Sequence, residues 1–214
     1  MAIRGGHGYG TEGTYSNASQ RRPRPRAVLL RNGNVAVVGG KQNGFSDSIL
    51  MTVEILDLGT GTWSSFKSFD SGSSPPTMSI EASSHRIFVV GRRGPSGGAS
   101  RQLAYVIDPD LKETSGIHLM PMPKAGAFAL DLGEFVAVIG GAAGDNGRDA
   151  AFSPTTLLLD KAANEWLTLD PMPIPTYSVA VAMLSPTKML IIGGWNGLNT
   201  APEFFASVQQ VEFR

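Results

Sequence analysis

The chain has 214 residues, with 18 basic and 18 acidic side chains, so its formal net charge is zero. That balance gives no electrostatic source for attraction to nucleic acid or a membrane surface. There is no cysteine, which excludes disulfides, cysteine–metal sites and cysteine nucleophiles.

Residues 1–20 read as a Gly-rich N-terminal tail and 21–214 as one domain. No leading apolar region marks a signal peptide, and no apolar stretch is long enough to span a bilayer. An intracellular, cytoplasmic chain without membrane insertion is therefore expected. Gly8-Tyr9-Gly10-Thr11-Glu12-Gly13 matches G-x-G-x-x-G. A phosphate cradle of that type needs a strand before it and a helix after it. Tyr15 to Arg26 instead reads as a Pro-rich linker, so no cofactor is expected. Ile3-Arg4-Gly5-Gly6 looks like the worn end of a strand, and Asn17-Ala18-Ser19 is a glycosylation sequon that matters only in a secreted chain. The basic run Arg21 to Arg26 reads as the approach to the first strand.

Strands are expected near 27–30 and 35–40, joined by Arg31-Asn32-Gly33. Asn-Gly accepts the positive φ that a tight hairpin needs. Two more are expected near 51–57 and 62–66. The second run ends in Gly39-Gly40, and comparable marks recur at Gly91-Arg92, Gly140-Gly141 and Gly193-Gly194. A period of about 50 residues signals a repeat architecture. Asp57, Asp108 and Asp160 follow the marks, and six residues after each come Trp63, Thr114 and Trp166. The Asp residues are expected to open turns by accepting from nearby amides, and the Trp residues to pack between repeats. The third unit places strands near 126–131, 134–140, 155–160 and 165–169. The fourth places them near 177–184, 188–193 and 207–213, with no fourth strand. No segment sustains a 3.6 period, so essentially no helix is expected.

This pattern of glycine doublet, apolar-plus-Asp, Trp and Met-Pro turn (as in Pro171-Met172-Pro173) resembles the kelch repeat over roughly residues 21–214. The resemblance implies an all-β, kelch-type β-propeller with about four blades of four antiparallel strands. Its second repeat is degenerate, because Arg92 and Thr114 replace the Gly and Trp, and its last repeat is incomplete. Known kelch propellers mostly have five to seven blades, so an open or partial ring is one expected outcome. Others are closure by the N-terminal segment, or cover by a partner chain or second copy.

Chemical motifs are sparse. Gly94-Pro95-Ser96-Gly97-Gly98 matches a nucleophile elbow but falls in a Gly-rich loop. His7, His85 and His118 are scattered, so no metal site is expected. Repeat proteins put their variable loops on one face, and that face binds. The least repetitive stretches are 41–48, 92–101, 142–154 and 195–206. They supply the candidate partner-binding residues Lys41, Arg92, Arg93, Arg101, Arg148, Trp195 and Asn196, with Tyr177 beside them. Arg and Trp are enriched in binding hot spots. The expected role is a non-catalytic protein–protein interaction module or assembly subunit, whose partner is another protein chain or a second copy of itself. The alternative is a carbohydrate-active enzyme of the kelch-like sugar-acid mutarotase type. It would need Arg93 or Arg148 to hold a carboxylate and an acid such as Asp47, Asp145 or Asp149.

Overall fold

The computed structural model describes residues 17–18, 25–40, 50, 52–67, 80–83, 85–93, 100–116, 119–143, 151–177, 179–185, 187–195, 204 and 206–212. Among them there is no helix, and none is therefore long and apolar enough to cross a membrane. The described residues form four antiparallel blades of a β-propeller fold.

Blade one holds β1 (Arg26–Leu29), β2 (Val35–Val38), β3 (Thr52–Asp57) and β4 (Thr62–Lys67) in sequence order. Blade two holds β5 (Ile80–Ser83), β6 (Arg86–Arg93), β7 (Ser100–Asp108) and β8 (Glu113–Gly116). Blade three holds β9 (Phe128–Asp131), β10 (Phe135–Ile139), β13 (Thr156–Asp160) and β14 (Glu165–Thr168). Between its second and third strands lies a small hairpin, β11 (Ala142–Ala143) with β12 (Ala151–Phe152). Blade four has three strands, β15 (Ala180–Ser185), β16 (Lys188–Ile192) and β17 (Val208–Glu212). The first strands neighbour one another, β1 beside β5 and β5 beside β9.

Turn chemistry fixes the blades locally. Gly33 and Gly133 both take φ +85° between first and second strands. Their turns are clamped by side chains, with Asn34 N donating to Asn32 Oδ1 at 3.0 Å and Gly133 N to Asp131 Oδ1 at 3.1 Å. The recurring Asp residues open the turns between third and fourth strands as expected. Asp57 Oδ1 accepts from Thr60 N, Asp108 Oδ1 from Asp110 N and Leu111 N, and Asp160 Oδ1 from Ala162 N and Ala163 N. The Thr60 amide holds the Asp57 carboxyl below its ordinary range. Four residues after each Asp the chain turns left-handed, at Gly61, Lys112 and Asn164.

The second strands are apolar at nearly every position, and in blades two and three both of their faces are covered. Side chains alternate along a strand, so each blade offers one face to the blade before it and one to the blade after. Blade one packs Ala36, Val38 and Val53 on Ile87, Val89 and Ile107 of blade two. Blade two turns Phe88, Val90 and Ala104 toward Val136, Val138, Leu157 and Leu159 of blade three. Trp166 is wedged into this second junction beside Val106. Blade three packs Ala137, Ile139 and Leu158 on Met189 and Ile191 of blade four.

The degenerate repeat shows what the glycine doublet does. In the other three units both glycines take positive φ, from +64° at Gly39 to +108° at Gly194, and the strand stops. In blade two Arg92 stands in the second place. The strand runs on to Arg93 through a register shift between Val90 and Arg92. A side chain is disfavoured in the left-handed region, so this blade bulges and continues instead of breaking.

Candidate interaction site

Immediately after its doublet, each of blades three and four adds one more cross-strand row. In blade three the row is Ala125, Ala142 and Phe152. In blade four the matching row is Tyr177, Trp195 and Phe204. Paired backbone bonds hold both: Ala125 N to Ala142 O at 3.0 Å and the reverse at 2.9 Å, Tyr177 N to Trp195 O at 3.2 Å and the reverse at 3.1 Å. The rows differ in bulk, and the small one makes room for the large one.

Four rings meet as a result. Phe152 stands edge-on to Tyr177 at 5.8 Å and tilted to Trp195 at 6.3 Å. Tyr177 meets Trp195 edge-on at 5.9 Å, and Trp195 stacks on Phe204 at 6.3 Å and 16°. These are the offset and edge arrangements that aromatic quadrupoles favour. Glycine shapes the seat of Tyr177: a Cβ on Gly126 would lie 2.2 Å from the Tyr177 ring. The doublet matters here too, since a Cβ on Gly140 would lie 2.5 Å from the Thr176 carbonyl oxygen.

Two features set this corner apart. Phe204 is 81% exposed although it is a large apolar ring. The Trp195 indole Nε1 is buried and makes no hydrogen bond among the described residues, and neither do the Thr176 and Ser207 hydroxyls. Buried polar groups ordinarily have partners, so unmatched ones call for a physical reason.

Beneath the cluster lies Lys124, which has no exposed surface. Its Nζ donates to Ser153 Oγ at 2.7 Å and to the Thr155 carbonyl. This ties the segment leading into β9 to the residues just after Phe152. Desolvation lowers its pKa to about 7, and no acidic partner approaches it among the described residues.

The structure brings together two of the sequence candidates, Tyr177 and Trp195. Arg92, Arg93 and Arg101 have their backbones at strand ends and not in a loop, with Arg92 directly opposite Arg101. Lys41, Arg148 and Asn196 lie outside the described residues, as do Asp47, Asp145, Asp149, His7, His118 and the two Gly-rich motifs at 8–13 and 94–98. His85 forms a turn at φ +69° and pairs with Asp110 at 2.9 Å. Phe152, Phe204 and Lys124 were not among the candidates. Two aromatic residues inside otherwise Gly- and Ala-rich loops were the available signal; Lys124 offered none. Among the described residues no group of three His, Asp or Glu side chains could hold a metal. At the opposite end, a cleft of about 370 Å³ between blades two and three is lined by Arg86, Phe88, Asp108, Glu113, Lys161 and Asn164. Some of its charges are matched internally, Lys161 by Asp131 and Arg86 by Asp108 at 3.8 Å.

No family model matches the chain, and no curated protein matches it. Among solved structures it is similar to that of YjhT, with a TM-score of 0.72 and 14% identity, over 88% of this chain and 68% of that one. At that identity the likeness is one of fold.

Proposed function

We propose that this chain is a kelch-type propeller domain, spanning 21–214 behind an N-terminal tail, and that it is an intracellular, non-catalytic interaction module. It engages another protein through the end of blades three and four that carries Tyr177, Trp195 and Phe204. The observation that carries this reading is an exposed Phe204 stacked on Trp195. Such a pair of rings offers the rigid apolar area found in interface anchors. Lys41, Arg92, Arg93, Arg101, Arg148 and Asn196 belong to the proposed rim around it.

Hot-spot rings are worth about 2 kcal/mol or more, roughly a thirtyfold change in affinity. Trp195→Ala combined with Phe204→Ala should therefore strip a stoichiometric partner from the protein recovered out of its own cells. Leu111→Ala, on an exposed turn at the other end, should leave that partner bound. Equal recovery by all three proteins would refute the assignment.

The sugar-acid mutarotase reading has one observation in its favour. An exposed Phe204 stacked on Trp195 also suits the apolar face of a sugar ring. Titration with a sugar acid separates the two: saturable heat abolished by Trp195→Ala would favour the enzyme.

A further inference from the structure

Two short stretches of chain meet under the aromatic corner, and one side chain joins them. The stretch entering β9 supplies Lys124 and Ala125; residues 153–155 lead from the β11–β12 hairpin, and so from Phe152, into β13. Lys124 Nζ donates across this gap to Ser153 Oγ at 2.7 Å and to the Thr155 carbonyl. Ser153 Oγ in turn accepts from Thr155 N at 3.3 Å. The same segment is tied through its backbone by Ser153 N on Gly141 O at 2.9 Å and Met172 N on Pro154 O at 2.8 Å. The hairpin before it has only two residues per strand. So short a pairing belongs to the easily opened end of a protein's stability range.

The amine is poorly placed to hold charge. Lys124 has no exposed surface, and among the described residues no carboxylate lies within ion-pair distance of it. Around it stand Ser153, Thr155 and Met122, whose sulfur meets Ser153 Oγ, and none of these titrates. In the ring cluster above, Tyr177 is the titratable side chain. The loop between β11 and β12 carries Asp145, Arg148 and Asp149, which lie outside the described residues. Burial disfavours the ammonium form and brings the Lys124 pKa from 10.5 down to about 7.

We propose that Lys124 is a proton-operated latch on the aromatic corner. Uncharged, it pins residues 153–155 and so keeps Phe152 against Tyr177 and Trp195. Proton uptake releases that segment as a local unit. Between pH 10.5 and about 7 the closed form holds a neutral amine, whereas the opened form, with its amine in water, takes a proton. Opening therefore becomes about tenfold easier for each unit by which pH falls through this window, and levels off below it. The latch concerns the packing of the corner and holds whether or not a partner binds there.

The absence of natural cysteine allows a single thiol to report the opening. Ala142 pairs with Phe152 and is 2% exposed, so Ala142→Cys reacts with a thiol reagent only when the segment lifts. Its labelling rate, divided by that of a fully exposed thiol at the same pH, gives the opening equilibrium. Ala125→Cys, at 1% exposure in the same row, is the companion probe. Ala36→Cys, fully buried in β2 of blade one, reports global unfolding. The normalised rate at Ala142→Cys should rise by up to about tenfold per unit as pH is lowered from 10 to 7, and should exceed that at Ala36→Cys throughout. Adding Lys124→Met should abolish the dependence. Lys124→Gln, which keeps a neutral donor for Ser153 and Thr155, should do the same and is the background to use if Lys124→Met does not fold. A flat profile with Lys124 present overturns the proposal, and so does a slope that survives both substitutions. Equal rates at Ala142→Cys and Ala36→Cys also overturn it, because the segment would then open only with the whole protein.

Discussion

Wild-type stability should climb as pH rises from about 7 toward 10.5, and the Lys124→Met variant should not share that climb. In the fold the Lys124 amine has its pKa lowered from 10.5 to about 7 because it is out of contact with water. In the unfolded chain it titrates near its ordinary value. Between the two pKa values the unfolded state binds a proton that the folded state does not, so folding gains as protons become scarce. The contribution is fully present above the unfolded pKa and is lost as pH falls through the folded one. The slope for one proton is about 1.4 kcal/mol per pH unit. The quantity to measure is the difference between wild type and variant in urea unfolding at successive pH values, in which the contribution of the rest of the chain cancels. That difference should grow with pH over this window. A flat difference would mean that Lys124 keeps its ordinary pKa and that water reaches it. The absolute cost of Lys124→Met at one pH is a separate matter, because Ser153 Oγ and the Thr155 carbonyl lose a donor.

The second large effect is a contrast between two residues that look alike. Trp166→Ala should cost about 3 kcal/mol, the lower end for a large aromatic truncation, since the ring is only half-buried. It fills the junction where Phe88 and Val106 meet Val136 and Leu159. Trp63→Ala should cost clearly less in the monomer. Trp63 occupies the same register position, opposite Leu56 as Trp166 is opposite Leu159, but among the described residues no preceding blade lies against that face. Denaturant midpoints of the two variants would show the difference. Equal losses would mean that the indole stabilises its own blade and not the contact between blades.

That contrast marks how far sequence reasoning reaches. The strands of blades one, three and four fall within two or three residues of their expected places, because apolar runs, Asn-Gly or Asp-x-Gly turns and the Asp-opened turns are all local signals. The sequence treats Trp63 and Trp166 as equivalent; only the stacking order separates an end blade from an inner one. Blade two resists local reading for a related reason. Arg92 removes a second left-handed glycine, and the strand extends by a bulge that the doublet pattern does not announce. The β11–β12 hairpin is only two residues per strand, below what periodicity can detect. At the candidate site, Tyr177 and Trp195 are legible from residue type and repeat position. Phe152 and Phe204 join them through pairing across the loop, which no spacing encodes. Lys124 is the extreme case: a lysine after a Met-Pro pair reads as surface, and its burial is decided by Ser153 and Thr155, about 30 residues later in the chain.

Native-state amide hydrogen exchange is the most direct measurement of the face-to-face stack of four small sheets. Second strands are bonded at both edges and each buries at least one face, so they should open only in the largest unfolding events. The slowest amides should fall in four separate groups, within β2, β6, β10 and β16, with β1, β15 and β17 exchanging faster. Protection concentrated in one continuous region, or as strong in the first strands as in the second, would contradict the account.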